Sequence, residues 1–394
     1  MNKLNRRNFV KDLLLGGGAL ALAPSQLFAQ NSSAANVRPF EILTLGDSVM
    51  WGQGLLDDDK YSHKIREWLE TTKFQGKREV NLHVKAHSGA TITDITEKGF
   101  EPLKYYNGEI NISTPNIMQQ ADDAVACFNR PTTDKCFAEI PSARLNYYGG
   151  NPITPQNIDL ILVNGGINDM GAGKILIPNF HINAIKNAAK AFCETAMTGL
   201  LKKLADQFPN ARIIVPNYFP LVSTSSDPTE VYKAIVQAFG ANPFTDYVLK
   251  VFGILKLPVF DQYHFIRNFI AKRSSTWVAE SNDHLSRAVK NLNELKPFKT
   301  ASGNNENRAF FVKAPFGKAN AYAADKTFLW RLTENVKVDD DRFADREAIC
   351  KDKKVEGLNQ FERFVCRRAG LFHPNKDGAD AYYEAIRAEL TKIF

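Results

Sequence analysis

Short, mainly apolar runs separated by helical stretches constrain this chain most. Phe40-Glu-Ile-Leu-Thr-Leu45 and Ile158-Asp-Leu-Ile-Leu-Val163 are mainly apolar, with consecutive apolar residues at 42–43 and 160–163 rather than a strict alternation between a wet and a dry face. Such runs are far too short to cross a bilayer and read as strands buried on both sides. Further strand-like stretches occur at 80–85, 212–216 and 308–313, and helical periodicity covers 61–74, 117–128, 183–207 and 377–394. Strands that alternate with helices predict a parallel sheet, because parallel neighbours need long crossovers, and helices then cover both faces. Residues 217–307 are mostly helical in pattern, rich in Phe and Tyr, and too long for a simple connection, so they are read as a helical insertion.

Composition narrows the class further. At 44% hydrophobic, 11% aromatic and 24% charged residues, the 394-residue chain can fill a core, which excludes a disordered or low-complexity protein. Of the net charge of +7, Lys3, Arg6, Arg7 and Lys11 against Asp12 contribute +3 within the first 29 residues. The remaining +4 is scattered among acidic residues, so a nucleic-acid partner is not expected.

That N-terminus carries Arg6-Arg7, an apolar stretch over 13–23 and a small-residue end at Ala29. It resembles a twin-arginine signal peptide, with residues 30–394 as the mature chain. The resemblance implies passage through the twin-arginine export machinery to a periplasmic or secreted location. The apolar stretch is too short for a stable membrane span, and no later segment is long and apolar enough to make one. Outside the cytoplasm Cys127, Cys136, Cys193, Cys350 and Cys366 can oxidise; their number is odd and their pairing is open, although a Cys350–Cys366 bond would close a short loop. There is no CxxC or HExxH, and His83 with His87 lies on a strand-like stretch, so neither metal nor cofactor is expected. His181, His264 and His284 are read as surface or satisfied histidines.

The chemistry-bearing residues lie at strand ends. Gly46-Asp47-Ser48 follows the first strand, Ser88-Gly89-Ala-Thr the second, Gly166-Ile-Asn168-Asp169 the third, and His373-Pro-Asn375 with Gly378 opens the last helix. Open α/β sheets bind ligands at the carboxyl edge, which is where these blocks fall. Taken singly, Ser48 reads equally as a turn or cap residue, Gly89 as a turn glycine and Asn168 as a cap.

Together and in this order the four blocks resemble the SGNH (GDSL-type) hydrolases. The resemblance implies a flavodoxin-like three-layer α/β/α fold with a central parallel five-stranded sheet. It also implies Ser48 as nucleophile, His373 as base, and an oxyanion hole shared by Ser48, Gly89 and Asn168. The implied reaction is hydrolysis of a carboxylic ester, by a serine that an imidazole deprotonates and through an oxyanion that amide donors stabilise. A small-molecule, lipid or acylated-carbohydrate ester would serve as substrate. Transfer of the acyl group to an alcohol is an alternative on the same site, and a degenerate carbohydrate- or lipid-binding protein is the alternative from another class.

One departure bears on that choice. The family often carries Asp three residues before the histidine, and this chain has Gly370 there. The imidazole is then oriented by a backbone carbonyl near Gly370 or by a distant carboxylate such as Asp345 or Glu362, or the site is inactive. Asp47 and Asp169 are read as braces of their loops, and Asp377 as the cap of the last helix. Met50 to Leu55 form either an apolar wall for an acyl group or part of the core.

Overall fold

The computed structural model describes residues 37–93, 107–128, 153–176, 181–239, 259–335, 337–351, 363 and 366–394. The N-terminal stretch read as a signal peptide, Cys136 and Glu362 lie outside them. Four of the predicted strands form with at most one residue's difference in their bounds: β1 (Phe40–Leu45), β2 (Val80–Val84), β3 (Ile158–Val163) and β4 (Arg212–Pro216). A short hairpin, β5 (Phe298–Lys299) with β6 (Asn305–Glu306), precedes β7 (Ala309–Val312).

The main sheet has the order β2-β1-β3-β4-β7, and every pair in it is parallel. Every residue of β1 and β2 is buried, as expected of strands covered on both faces. The helix from Tyr61 to Lys73 and the closing helix Lys376–Ile393 pack together beside the sheet. Ile117–Phe128, the helical stretch from Ile182 to Gln207 and the long helix Val259–Leu295 form a second layer. The result is the three-layer α/β/α architecture. Within the segment read as an insertion lie Pro228–Phe239 and Val259–Leu295, and the latter packs along β7 and the 182–207 stretch.

Strand order reverses direction at β1, whose neighbours are β2 on one side and β3 on the other. This is the switch point, where the loops leaving β1 and β3 diverge and open a crevice. Gly46-Asp47-Ser48 and Asn164 to Asp169 leave the sheet there.

Candidate active site

Ser48 opens a four-residue helix directly after β1. Asp47 caps that helix by accepting from the Val49 amide at 2.9 Å, and the same oxygen accepts from Asn164 Nδ2 at 2.7 Å. Its other oxygen accepts from the Tyr218 hydroxyl at 3.0 Å, while the Asp47 amide donates to Asn164 Oδ1. Asp47 thus locks the exits of β1 and β3 together beneath the serine. Burial pushes its pKa up to about 6. Asp169 braces the opposite loop, accepting from the amides of Ile92 and Thr93 and from the Thr93 hydroxyl.

His373 arrives from the far end of the chain. Its Nε2 lies 2.6 Å from Ser48 Oγ, and its Nδ1 lies 3.2 Å from the Leu371 carbonyl. A carbonyl only accepts, so Nδ1 carries the proton, and Nε2 presents its lone pair to the serine hydroxyl. The orienting group is therefore a backbone carbonyl, supplied by Leu371; the Gly370 carbonyl accepts the His373 backbone N–H at 3.0 Å. Asp345, the carboxylate considered as an alternative, instead pairs with Arg342 at the surface.

Phe372 makes this contact possible. Its φ of 65° places a bulky residue in the left-handed region, a conformation that costs roughly 1–3 kcal/mol and persists only where its surroundings enforce it. Here the Phe372 ring packs against Tyr322 with centroids 4.6 Å apart, and the reversal turns the Leu371 carbonyl back toward the imidazole. Pairing of the Trp330 amide with the His373 carbonyl, and of the Asn375 amide with the Phe328 carbonyl, fixes the rest of the turn. Asn375, rather than Asp377, caps the closing helix, accepting from the Gly378 amide at 3.1 Å. Burial holds the His373 pKa down to about 4, and the nearby Arg346 charge acts in the same direction.

The remaining sequence candidates converge on the same rim. Asn168 lines the cavity with Ser48 and His373, and its Nδ2 donates to the Ala90 carbonyl at 3.0 Å. That bond fixes the amide's orientation and leaves its second N–H for another acceptor. Gly89 has φ +83°, and a Cβ on it would stand 2.2 Å from Asn111 Oδ1 and 2.7 Å from the Ile112 backbone. Only glycine lets these two loops meet. Among the described residues, the amides of Ser48 and Gly89 have no hydrogen-bond acceptor.

The cavity encloses about 260 Å³. Ile167, Leu176, Phe219, Leu221 and Phe372 make its apolar wall; Ser88, Asn111 and Arg368 add polar groups. Asn111 and Arg368 had no signal in the sequence, since each reaches the site only through tertiary packing. Met50 and Trp51 do not line the cavity. Both are buried, and the Trp51 indole donates to Glu109 at 2.9 Å, so this stretch belongs to the core.

Behind the histidine turn lies Arg346, fully buried. It bonds Glu109 at 2.9 Å, pairs with Asp340 and donates to the Arg367 carbonyl at 3.3 Å. Gly370 packs directly on this group: a Cβ there would fall 2.3 Å from Asp340 Oδ2. Cys350 and Cys366 form a disulfide that ties the helix bearing Arg346 to the segment leading into His373. Cys127 is also disulfide-bonded, and Cys193 is a buried free thiol. His284 is paired with Glu194 at 2.5 Å, and His264 contacts Arg267. Among the described residues no three His, Cys, Asp or Glu side chains converge as a metal site would require, and no helix is long and apolar enough to cross a membrane.

No family model matches the sequence, and no curated protein does. Among solved structures, the chain is distantly similar to an extracellular lipase from Streptomyces rimosus, at 11% identity and a TM-score of 0.44, over 89% of this chain and 99% of the other. A phospholipase A1 from Streptomyces albidoflavus aligns at 12% identity and 0.40, with the same coverages. Est24, a carbohydrate acetylesterase from Sinorhizobium meliloti, aligns at 11% and 0.35, over 90% of this chain and all of that one.

Proposed function

We propose that this chain is an exported serine hydrolase of the SGNH type, which cleaves a carboxylic ester through an acyl-enzyme on Ser48. The observation that carries the proposal is the 2.6 Å contact between Ser48 Oγ and the lone-pair nitrogen of His373. In this reading His373 Nε2 takes the hydroxyl proton as Oγ attacks the ester carbonyl. The amides of Ser48 and Gly89 and the second N–H of Asn168 receive the oxyanion. His373 then returns the proton to the departing alcohol, and a water molecule, deprotonated by the same nitrogen, releases the acid.

The Leu371 carbonyl fixes tautomer and ring direction, the two tasks an orienting carboxylate would perform, so the reading is of an active enzyme rather than a degenerate binding protein. A carbonyl brings no full negative charge to the imidazolium, which agrees with the depressed pKa of His373. A cavity of about 260 Å³ with an apolar wall suits an acyl group of a few carbons. Export is supported by the Arg6-Arg7 leader and by the Cys350–Cys366 bond, which an oxidising compartment preserves.

The test is covalent labelling of the mature protein with a fluorophosphonate, alongside hydrolysis of chromogenic esters of graded acyl length. Wild type labels and prefers short acyl groups, whereas Ser48→Ala does neither. Labelling that persists in Ser48→Ala overturns the assignment.

A further inference from the structure

The catalytic cavity does not end at its apolar wall. Arg368 lines it and also lines a second cavity of about 230 Å³, whose other walls are Gln237, Asn335, Lys337, Phe343, Glu347 and Arg367. Among the described residues that line it, Lys337, Arg367 and Arg368 share the cavity with one carboxylate, Glu347, which already bonds Lys351 at 3.0 Å. Neither Lys337 nor Arg367 has a carboxylate within ion-pair distance among the described residues; Lys337 is instead 5.9 Å from the centre of the Phe343 ring. The Nε of Arg367 is buried with no acceptor. Adjacent guanidinium groups repel one another and are partly stripped of water here, an arrangement that an incoming anion relieves.

We propose that Lys337, Arg367 and Arg368 form a subsite that binds an anionic group on the alcohol part of the ester, so that the substrate is the ester of a negatively charged alcohol. This rests on the hydrolase reading of Ser48 and adds a substrate class to it. The acyl group occupies the apolar wall of Ile167, Leu176, Phe219 and Leu221, which carries no cation. The alcohol leaves past Arg368, where the two cavities share a wall. Arginine forks match both phosphate and carboxylate oxygens, so the shared chemistry recognised is that of an oxyacid anion.

The test compares kcat/KM for acetoxybutanoate and acetoxypropyl phosphate with that for neutral acetoxybutanamide, and includes monoethyl succinate, which carries its anion on the acyl side. A charge-assisted contact in a partly dry cavity predicts a preference of roughly tenfold for the anionic alcohols at low salt, shrinking as ionic strength rises. Arg367→Gln and Lys337→Gln each reduce that ratio several-fold. Lys337 is exposed, so its variant keeps the fold even if Arg367→Gln does not, and melting temperatures check both. The relative rates of the two anionic alcohols separate a phosphate-bearing from a carboxylate-bearing substrate. A ratio near one that neither variant changes overturns the subsite, as does a preference for monoethyl succinate, which places the anion on the acyl side. In both cases cleavage of the neutral ester that vanishes in Ser48→Ala leaves the hydrolase reading standing. If no ester is cleaved and Ser48 is not labelled, the hydrolase reading fails and the subsite falls with it.

Discussion

The pH dependence of turnover tests the environment of His373 directly. As general base the imidazole works only when neutral, and an unperturbed imidazole titrates near 6.5. Burial holds His373 down to about 4. At a pH of about 5.5 an unperturbed group would be roughly one-tenth neutral, whereas one that titrates at about 4 is almost wholly so, a difference of about tenfold in kcat/KM. Acid protonates the base, so the rate falls with decreasing pH and its midpoint sits at the pKa of the free enzyme. The expected profile for a neutral acetate ester is flat from neutrality to about pH 5 and halved near pH 4. Asp47, raised to about 6, lies within the same network and is the group that can add an inflection of its own. Initial rates at low substrate and constant ionic strength, measured in parallel on Asp47→Asn, separate the two, because an inflection due to Asp47 disappears in that variant. A midpoint near 6.5 in both proteins would refute the claim that burial depresses the pKa of the imidazole.

Two further outcomes follow from the same geometry. Gly370→Asp installs the residue that the resembled family often carries at this position, yet it should lower both melting temperature and activity. Its Cβ meets the Asp340 carboxylate at 2.3 Å, an overpacking expected to cost roughly 1–3 kcal/mol or more; a gain in kcat would contradict this. Asn168→Ala should lower kcat by about two to three orders of magnitude with a smaller change in KM, as loss of an oxyanion donor does; steady-state kinetics on a short-chain ester would show it.

Much of this molecule was legible from local pattern. β1, β3 and β4 announce themselves because strands buried on both faces are mainly apolar on successive positions, as at 42–43, 160–163 and 213–215, and 117–128 because its apolar positions recur at helical spacing. Ser48, Gly89, Asn168 and His373 were legible because each sits in a short block at a strand end or helix start. The groups that complete the site were not. Leu371 contributes a main-chain carbonyl, which has no signature in a side-chain alphabet, and its direction depends on the left-handed turn at Phe372. Arg346 and Asp340 reach the site from more than 20 residues upstream of His373, through a fold no local window contains. Met50 and Trp51 could be read either as wall or as core from the sequence alone; next to Ser48 in sequence, they are turned into the core by the helix that Ser48 begins.

The buried guanidinium of Arg346 gives the site a mechanical property of its own. One hand grips Glu109, in the strip of chain that carries Asn111 to Gly89; the other grips Asp340, wedged against the turn that delivers the imidazole. The loop that carries Gly89 and the turn that carries His373 are thus rivets on a single plate, and neither can be remodelled alone. A designer wishing to regraft a carboxylate onto position 370 must first clear Asp340, then find Arg346 a new counter-charge, and then reseat Glu109, a sequence of changes that works only as a set.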